Sequence, residues 1–178
     1  YYYLVTAMDD YSHFIIAWRL QRDMSAGSLI EVIQEAIDAT GMTDVPIKDR
    51  TRLLSDNGAG FISRAFRDYL NLVGITHILA APFHPQTNGK LERYHRTIKT
   101  EVNQMPYEFP VDLEKAIADF VEYYNFRRYH KAIGDVTPAD VLNGRRDQIL
   151  DCRKEVKEQT IQHRRNFNQN LKELLHHS

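Results

Sequence analysis

Apolar residues crowd the start of the chain in two runs, YYYLVTAM (1–8) and FIIAWRL (14–20), separated by the polar stretch DDYSH. Two such runs around a short polar turn predict a β-hairpin of buried or half-buried strands. From Ser25 the period changes. Leu29, Ile33, Ala36 and Ile37 recur at helical spacing and Gly41 falls just past the end, which predicts an amphipathic helix. RLLS (52–55) reads as a short strand running into the turn residues Asp56, Asn57 and Gly58. Phe61, Ala65, Phe66, Tyr69, Leu70 and Val73 then mark one helical face closed by Gly74, and ITHILA (75–80) marks another strand. The loop APFHPQTNG (81–89) carries two prolines that exclude regular structure up to Asn88. Two more helical stripes follow, Leu91/Tyr94/Ile98/Val102 and Leu113/Ala116/Ile117/Phe120/Tyr124. After TPADVLNG (137–144) the tail is polar, charged and poorly periodic, as in a solvated helix or an interaction arm. We therefore divide the chain into a core, residues 1–144, and a charged helical extension, residues 145–178.

The order hairpin, helix, strand, helix, strand, helix, helix predicts an α/β fold, a mixed sheet with helices on its faces. Chemistry in such folds gathers at strand ends. Asp56 lies at one.

Composition narrows the classes. The chain has 178 residues, 43% hydrophobic and 26% charged, with no apolar run near the roughly 18 residues of a membrane span. No basic region precedes the first apolar run, so no signal peptide is expected. A single cysteine, Cys152, excludes an internal disulfide framework or a cysteine zinc cluster and suits a reducing compartment. Net charge is −1, so nucleic-acid binding would have to come from local basic clusters: ERYHRTIK, NFRRYHK, NGRR and QHRR. Each is equally readable as a solvated face.

Asp56 taken alone is explained by its turn, and Glu92 by an exposed helix face. Together they suggest more. Thirty-five residues, one helix, one strand and a loop, separate them, and that connection can bring the start of the later helix back beside the end of the earlier strand. Hard divalent cations favour carboxylate oxygens, and a pair of ions about 3.5–4 Å apart can clamp the attacking and leaving oxygens of phosphoryl transfer. His95, Arg96 and Lys99 stand three, four and seven positions after Glu92, on or near its face. An acid beside bases opposite an apolar stripe suits a phosphate-rich ligand.

LLSDNGAGFIS, ITHILAAPFHPQTNGKLERYHRTIK and YYNFRRYHKAIGDVTPADV, in that order, resemble the catalytic core of insertion-sequence transposases and retroviral integrases, the DDE group of polynucleotidyl transferases. The resemblance runs from about Tyr1 to Leu142. It implies an RNase H-like fold, Mg²⁺ or Mn²⁺ in a two-metal site, DNA as substrate, and hydrolytic nicking followed by strand transfer. It places the second family acid at Asp56 and the third at Glu92, as catalytic and metal-binding residues. It implies DNA contacts from Lys99, Arg96, His95 and Lys90, with Gln86 and Asn88, beside His84, in the loop bordering the site. It also implies homo-oligomers on paired DNA ends and a bacterial, nucleoid-associated, cytoplasmic location. A competing reading is a non-catalytic DNA-binding or assembly module, a degenerate remnant of such an enzyme.

In relatives the first acid sits in a strand ahead of the hairpin, and the alignment puts Tyr1 already inside the second strand. The expectation is thus a sheet lacking its first, central strand, and a chain that is inactive by itself. Asp9 and Asp10 are possible substitutes, although both fall on a turn where aspartate is ordinary.

Overall fold

The computed structural model of the chain describes residues 1–80, 89–102, 104 and 106–176, the last four as backbone alone. Strands β1 (Tyr3–Met8) and β2 (Ile15–Gln21) form the antiparallel hairpin. Helix α1 (Ala26–Thr40) follows, and β3 (Arg52–Ser55) and β4 (Thr76–Leu79) pair in parallel across α2 (Ala59–Ile62) and α3 (Arg64–Leu72). Then come α4 (Gly89–Val102), α5 (Pro110–Phe126), the short α6 (Pro138–Leu142) and α7 (Arg146–His176).

The hairpin is covered on both faces, which is why its strands read as nearly unbroken apolar runs. Val5, Ala7 and Ala17 face α1 and α3, in a core with Leu29, Val32, Ile33, Phe66 and Leu70. Leu4, Met8, Trp18 and Leu20 face α4 and α5, against Tyr94, Ile98, Ile117 and Phe120. Ile15 breaks the alternation by joining the second core. The register explains it: Ala7 faces Ala17 but Met8 faces Ile15, so Ile16 is an extra residue and the bulge turns Ile15 to the other side.

Sequence periodicity predicts one helix over Phe61–Val73, whereas the structure breaks it at Ser63, whose backbone is extended (ψ 152°) and whose hydroxyl oxygen caps α3 by accepting from the Phe66 amide at 3.2 Å. A serine followed by helix formers supplies this cap without disturbing the apolar stripe that spans it. At Gly60 the chain passes so close to α1's entry that an added Cβ would lie 2.3 Å from the Met24 carbonyl oxygen. The segment after Asp56 is thereby seated on the start of α1.

Among the described residues the two strand pairs are not bridged, so the sheet exists as two two-stranded pieces. Both pack into the core beneath α1, through Val5 and Ala17 on one side and Leu53 on the other. One antiparallel and one parallel pair make up the mixed α/β arrangement anticipated from the sequence. Among the described residues both outer edges of each pair carry backbone donors and acceptors that no strand neighbour meets.

At the other end, Thr137 and Asp140 close a reciprocal capping box on α6. The first turns of α7 pack Ile149 and Leu150 against Ile133, Val136 and Val141. From Asp151 to Lys172 every side chain of α7 is exposed.

Candidate active site

Asp56 is fixed by its neighbours rather than by its own side chain. The Ser55 hydroxyl is buried, donates to the Asp56 carbonyl at 2.8 Å and lies 2.8 Å from His77 Nε2 on β4. Asn57 donates to the Ala80 carbonyl at 2.9 Å, and the Ala80 amide donates to the Ser55 carbonyl at 2.8 Å. These bonds tie the turn after β3 to the end of β4. One Asp56 oxygen, Oδ1, accepts from the Gly58 amide at 2.8 Å in the side-chain turn anticipated for an aspartate here. The residue is exposed. His77, packed on Phe66, is held below its ordinary pKa by burial and then by Arg67.

Glu92 stands exposed in the first turn of α4, where the helix dipole favours a carboxylate. No ion pair joins it to a described residue. Arg96 and Lys99 are exposed on the same helix. His95 is different: it is half-buried, its ring edge-on to Tyr94 at 5.4 Å, and burial followed by Lys99 lowers its pKa. Lys90 bonds to the hairpin turn, to Asp10 Oδ1 and to the Asp10 carbonyl, each at 2.8 Å. His84, Gln86 and Asn88 lie outside the described residues.

The hairpin acids are engaged elsewhere. Asp9 Oδ2 accepts from the Ser12 amide at 2.7 Å and from its hydroxyl at 2.5 Å, while Asp10 pairs with Lys90. Among the described residues no three His, Cys, Asp or Glu side chains form a group that could hold a metal ion. Asp56 and Glu92 nonetheless fit a hard cation in donor type: two exposed carboxylates on separate elements, of the kind Mg²⁺ accepts in ones or twos while keeping waters and substrate phosphates as its other ligands.

YYNFRRYHK contributes first to the scaffold. Asn125, 3% exposed, donates to the Ile15 carbonyl at 3.0 Å and accepts from the Ile15 amide at 2.9 Å, serving the bulge as a strand neighbour would. His130 bridges to Val136 through the backbone and packs edge-on against Tyr124 at 4.5 Å. Burial pushes the Tyr124 hydroxyl up to about 12. Burial and then Arg128 push the His130 imidazole down from its ordinary 6.5 to about 4. Between those two values the unfolded chain binds the proton that the folded chain refuses, so stability falls as pH drops from about 6.5 toward 4. Thermal midpoints measured between pH 7 and 4.5 should therefore decline less steeply in His130→Gln than in the parent. Parallel slopes would place the acid sensitivity elsewhere.

Comparisons with known proteins bear on the family and the fold. Two family models, both described as integrase core domain, match residues 1–85 and 73–138. A Spiroplasma virus SpV1-C74 protein named as an integrase is 28% identical over 156 residues, covering 80% of this chain and 42% of its own length. A Mycobacterium tuberculosis H37Rv protein named as the transposase of insertion element IS986/IS6110 is 28% identical over 144 residues, covering 78% of this chain and 51% of its own. The chain thus spans about half the length of these relatives. Among solved structures, the BIV integrase catalytic core superposes with a TM-score of 0.60 at 21% identity, over 83% of this chain and 90% of that one. The HTLV-2 integrase core, solved with magnesium, gives 0.58 at 18%, over 78% and 83%. At these identities the structural likeness concerns the fold.

Proposed function

The chain belongs to the integrase core domain family, and on that footing we propose that it forms the core of a metal-dependent DNA strand-transferase acting in transposition. The observation that carries this reading is the placement of two exposed carboxylates, Asp56 at the end of β3 and Glu92 in the first turn of α4. They would hold Mg²⁺ or Mn²⁺, which when bound supplies charge at the attacking and leaving oxygens of the phosphodiester. Lys99 and Arg96, with His95, Lys90 and the loop residues Asn88 and Gln86, would position the DNA through its phosphates without reading sequence. The partners would be element ends, target DNA and further copies of the chain, in the bacterial cytoplasm at the nucleoid. Among the described residues no helix is long and apolar enough to cross a membrane.

The residues divide the work. The bonds from Ser55, Asn57 and Ala80 keep the Asp56 turn still, so its carboxylate is presented by a rigid strand end. Glu92 is carried by a helix whose opposite side, Tyr94 and Ile98, is locked in the core. A second reading, a non-catalytic DNA-binding or assembly module, draws support from Asp9 and Asp10: Ser12 and Lys90 occupy them, so neither hairpin acid adds to the pair.

Nicking and joining of element-end duplexes by the protein expressed from its complete reading frame decides between the two. Activity with Mg²⁺ or Mn²⁺, lost in EDTA and in Asp56→Asn, is the expected result. DNA binding without any metal-dependent cleavage would leave the assembly module. A metal-induced rise in thermal midpoint, present in the parent and absent in Asp56→Asn, reads the same site without turnover.

A further inference from the structure

A second cluster lies on another side of α4. His13 from the β1–β2 turn, Lys90 and Arg93 from α4, Tyr124 and Arg128 at the end of α5, and His130 beyond it enclose a cavity of about 60 Å³. A water needs on the order of 10–15 Å³ of such space, so the cavity accommodates a small tetrahedral anion in place of a few waters. Its walls are rich in donors. Among the described residues neither Arg93 nor Arg128 has an acidic partner; Arg128 instead stacks over the Tyr124 ring at 5.9 Å. Asp10, on Lys90, is the carboxylate nearest this group by contact. The Nε2 atom of His130 is buried with no hydrogen-bond partner. His13 holds a left-handed backbone, φ 63°, which few non-glycine residues adopt, and its ring stands edge-on to His130 at 6.3 Å.

We propose that this cavity is a phosphate-binding pocket for the DNA backbone, in which Arg93 and Arg128 clasp one phosphodiester. The proposal rests on the DNA reading above and adds a contact separate from the Glu92 side of α4. The chemistry is that of an anion site: guanidinium forks match phosphate oxygens. Burial first, and then Lys90 at His13 and Arg128 at His130, hold both histidines below their ordinary pKa. A phosphate would relieve the repulsion from those cations.

Salt dependence of binding is the test. Each phosphate neutralised contributes about 0.9 to the slope of log affinity against log salt on duplex DNA. With the protein from its complete reading frame and a probe duplex of about 20 bp, Arg93→Gln and Arg128→Gln should each reduce that slope by about 0.9 and weaken binding several-fold at low salt, while Arg93→Lys keeps most of both. Arg128→Gln also removes a cation–π contact; should it misfold by circular dichroism, Arg93→Gln, at an exposed position, carries the test alone. Unchanged slopes with DNA still bound would overturn the pocket and leave the DNA reading standing. No DNA binding by the parent would overturn both. Inorganic phosphate that shifts the His13 and His130 imidazole resonances while the slopes stay unchanged would make this a free-anion site and overturn its assignment to DNA.

Discussion

Replacing Glu92 with glutamine is expected to reduce metal-dependent strand cleavage by more than about a hundredfold while leaving the fold intact. The size follows from the role of the carboxylate: removing an outer-shell partner of a metal ligand costs about 10–100-fold, and removing a ligand itself should cost more. The sparing of the fold follows from the residue's surroundings. Glu92 is exposed, pairs with no described residue and shares α4 with Tyr94 and Ile98, which hold the helix in the core from the other side. Glutamine keeps the length and the helix propensity. Only the charge goes. Parallel measurements of the rate of single-strand nicking and of the thermal midpoint separate the two effects. Equal activity in the variant would remove Glu92 from the metal site, and a large drop in midpoint would mean that the carboxylate serves the fold.

The largest stability loss is expected at Asn125. Its amide answers both backbone groups of Ile15 inside the protein, at the point where the bulge interrupts strand pairing. Alanine would strand a buried donor and a buried acceptor together. At roughly 1–3 kcal/mol for each group left unmet, and with some relief from water or backbone shift, Asn125→Ala should lose roughly 2–4 kcal/mol in chemical denaturation. Glu122→Ala, one turn earlier, breaks only the exposed pair with Arg127 and should lose less than about 1 kcal/mol. If the two variants unfold at the same denaturant concentration, Asn125 is not the clasp described here.

These cases show which parts of the molecule the sequence made legible. Regular apolar spacing disclosed α1, α4 and α5, because burial of one face imposes it directly. Residue chemistry disclosed the turn at Asp56, since an Asp-Asn-Gly run has few other uses. The resemblance to integrase cores supplied the fold family, which periodicity alone could not. What stayed hidden depends on contacts distant in sequence. The bulge at Ile16 leaves an apolar run looking unbroken, and its partner Asn125 is 110 residues from Ile15. Ser63 had a legible signal, a helix cap three residues before Phe66, but it sits within a stripe that reads as one helix. His95 shares a helix sector with Glu92 by counting, yet its ring lies half-buried and edge-on to Tyr94. The anion cavity joins a hairpin turn to two helices. Nothing in the residues around His13 marks it.

The two strand pairs, left unbridged under α1, also govern how many molecules behave together. A strand edge does not distinguish a foreign segment from a second copy, so among the described residues the open outer edges of both pairs offer a neighbour in solution the same template. The register partners Leu54 and Ile78, 38% and 39% exposed, add an oily strip beside one of those edges. Association along these edges would rise with protein concentration, and an extended peptide lying along them would act as a chain terminator for such growth. An edge left open in one molecule is, across a population, a place where a second could add.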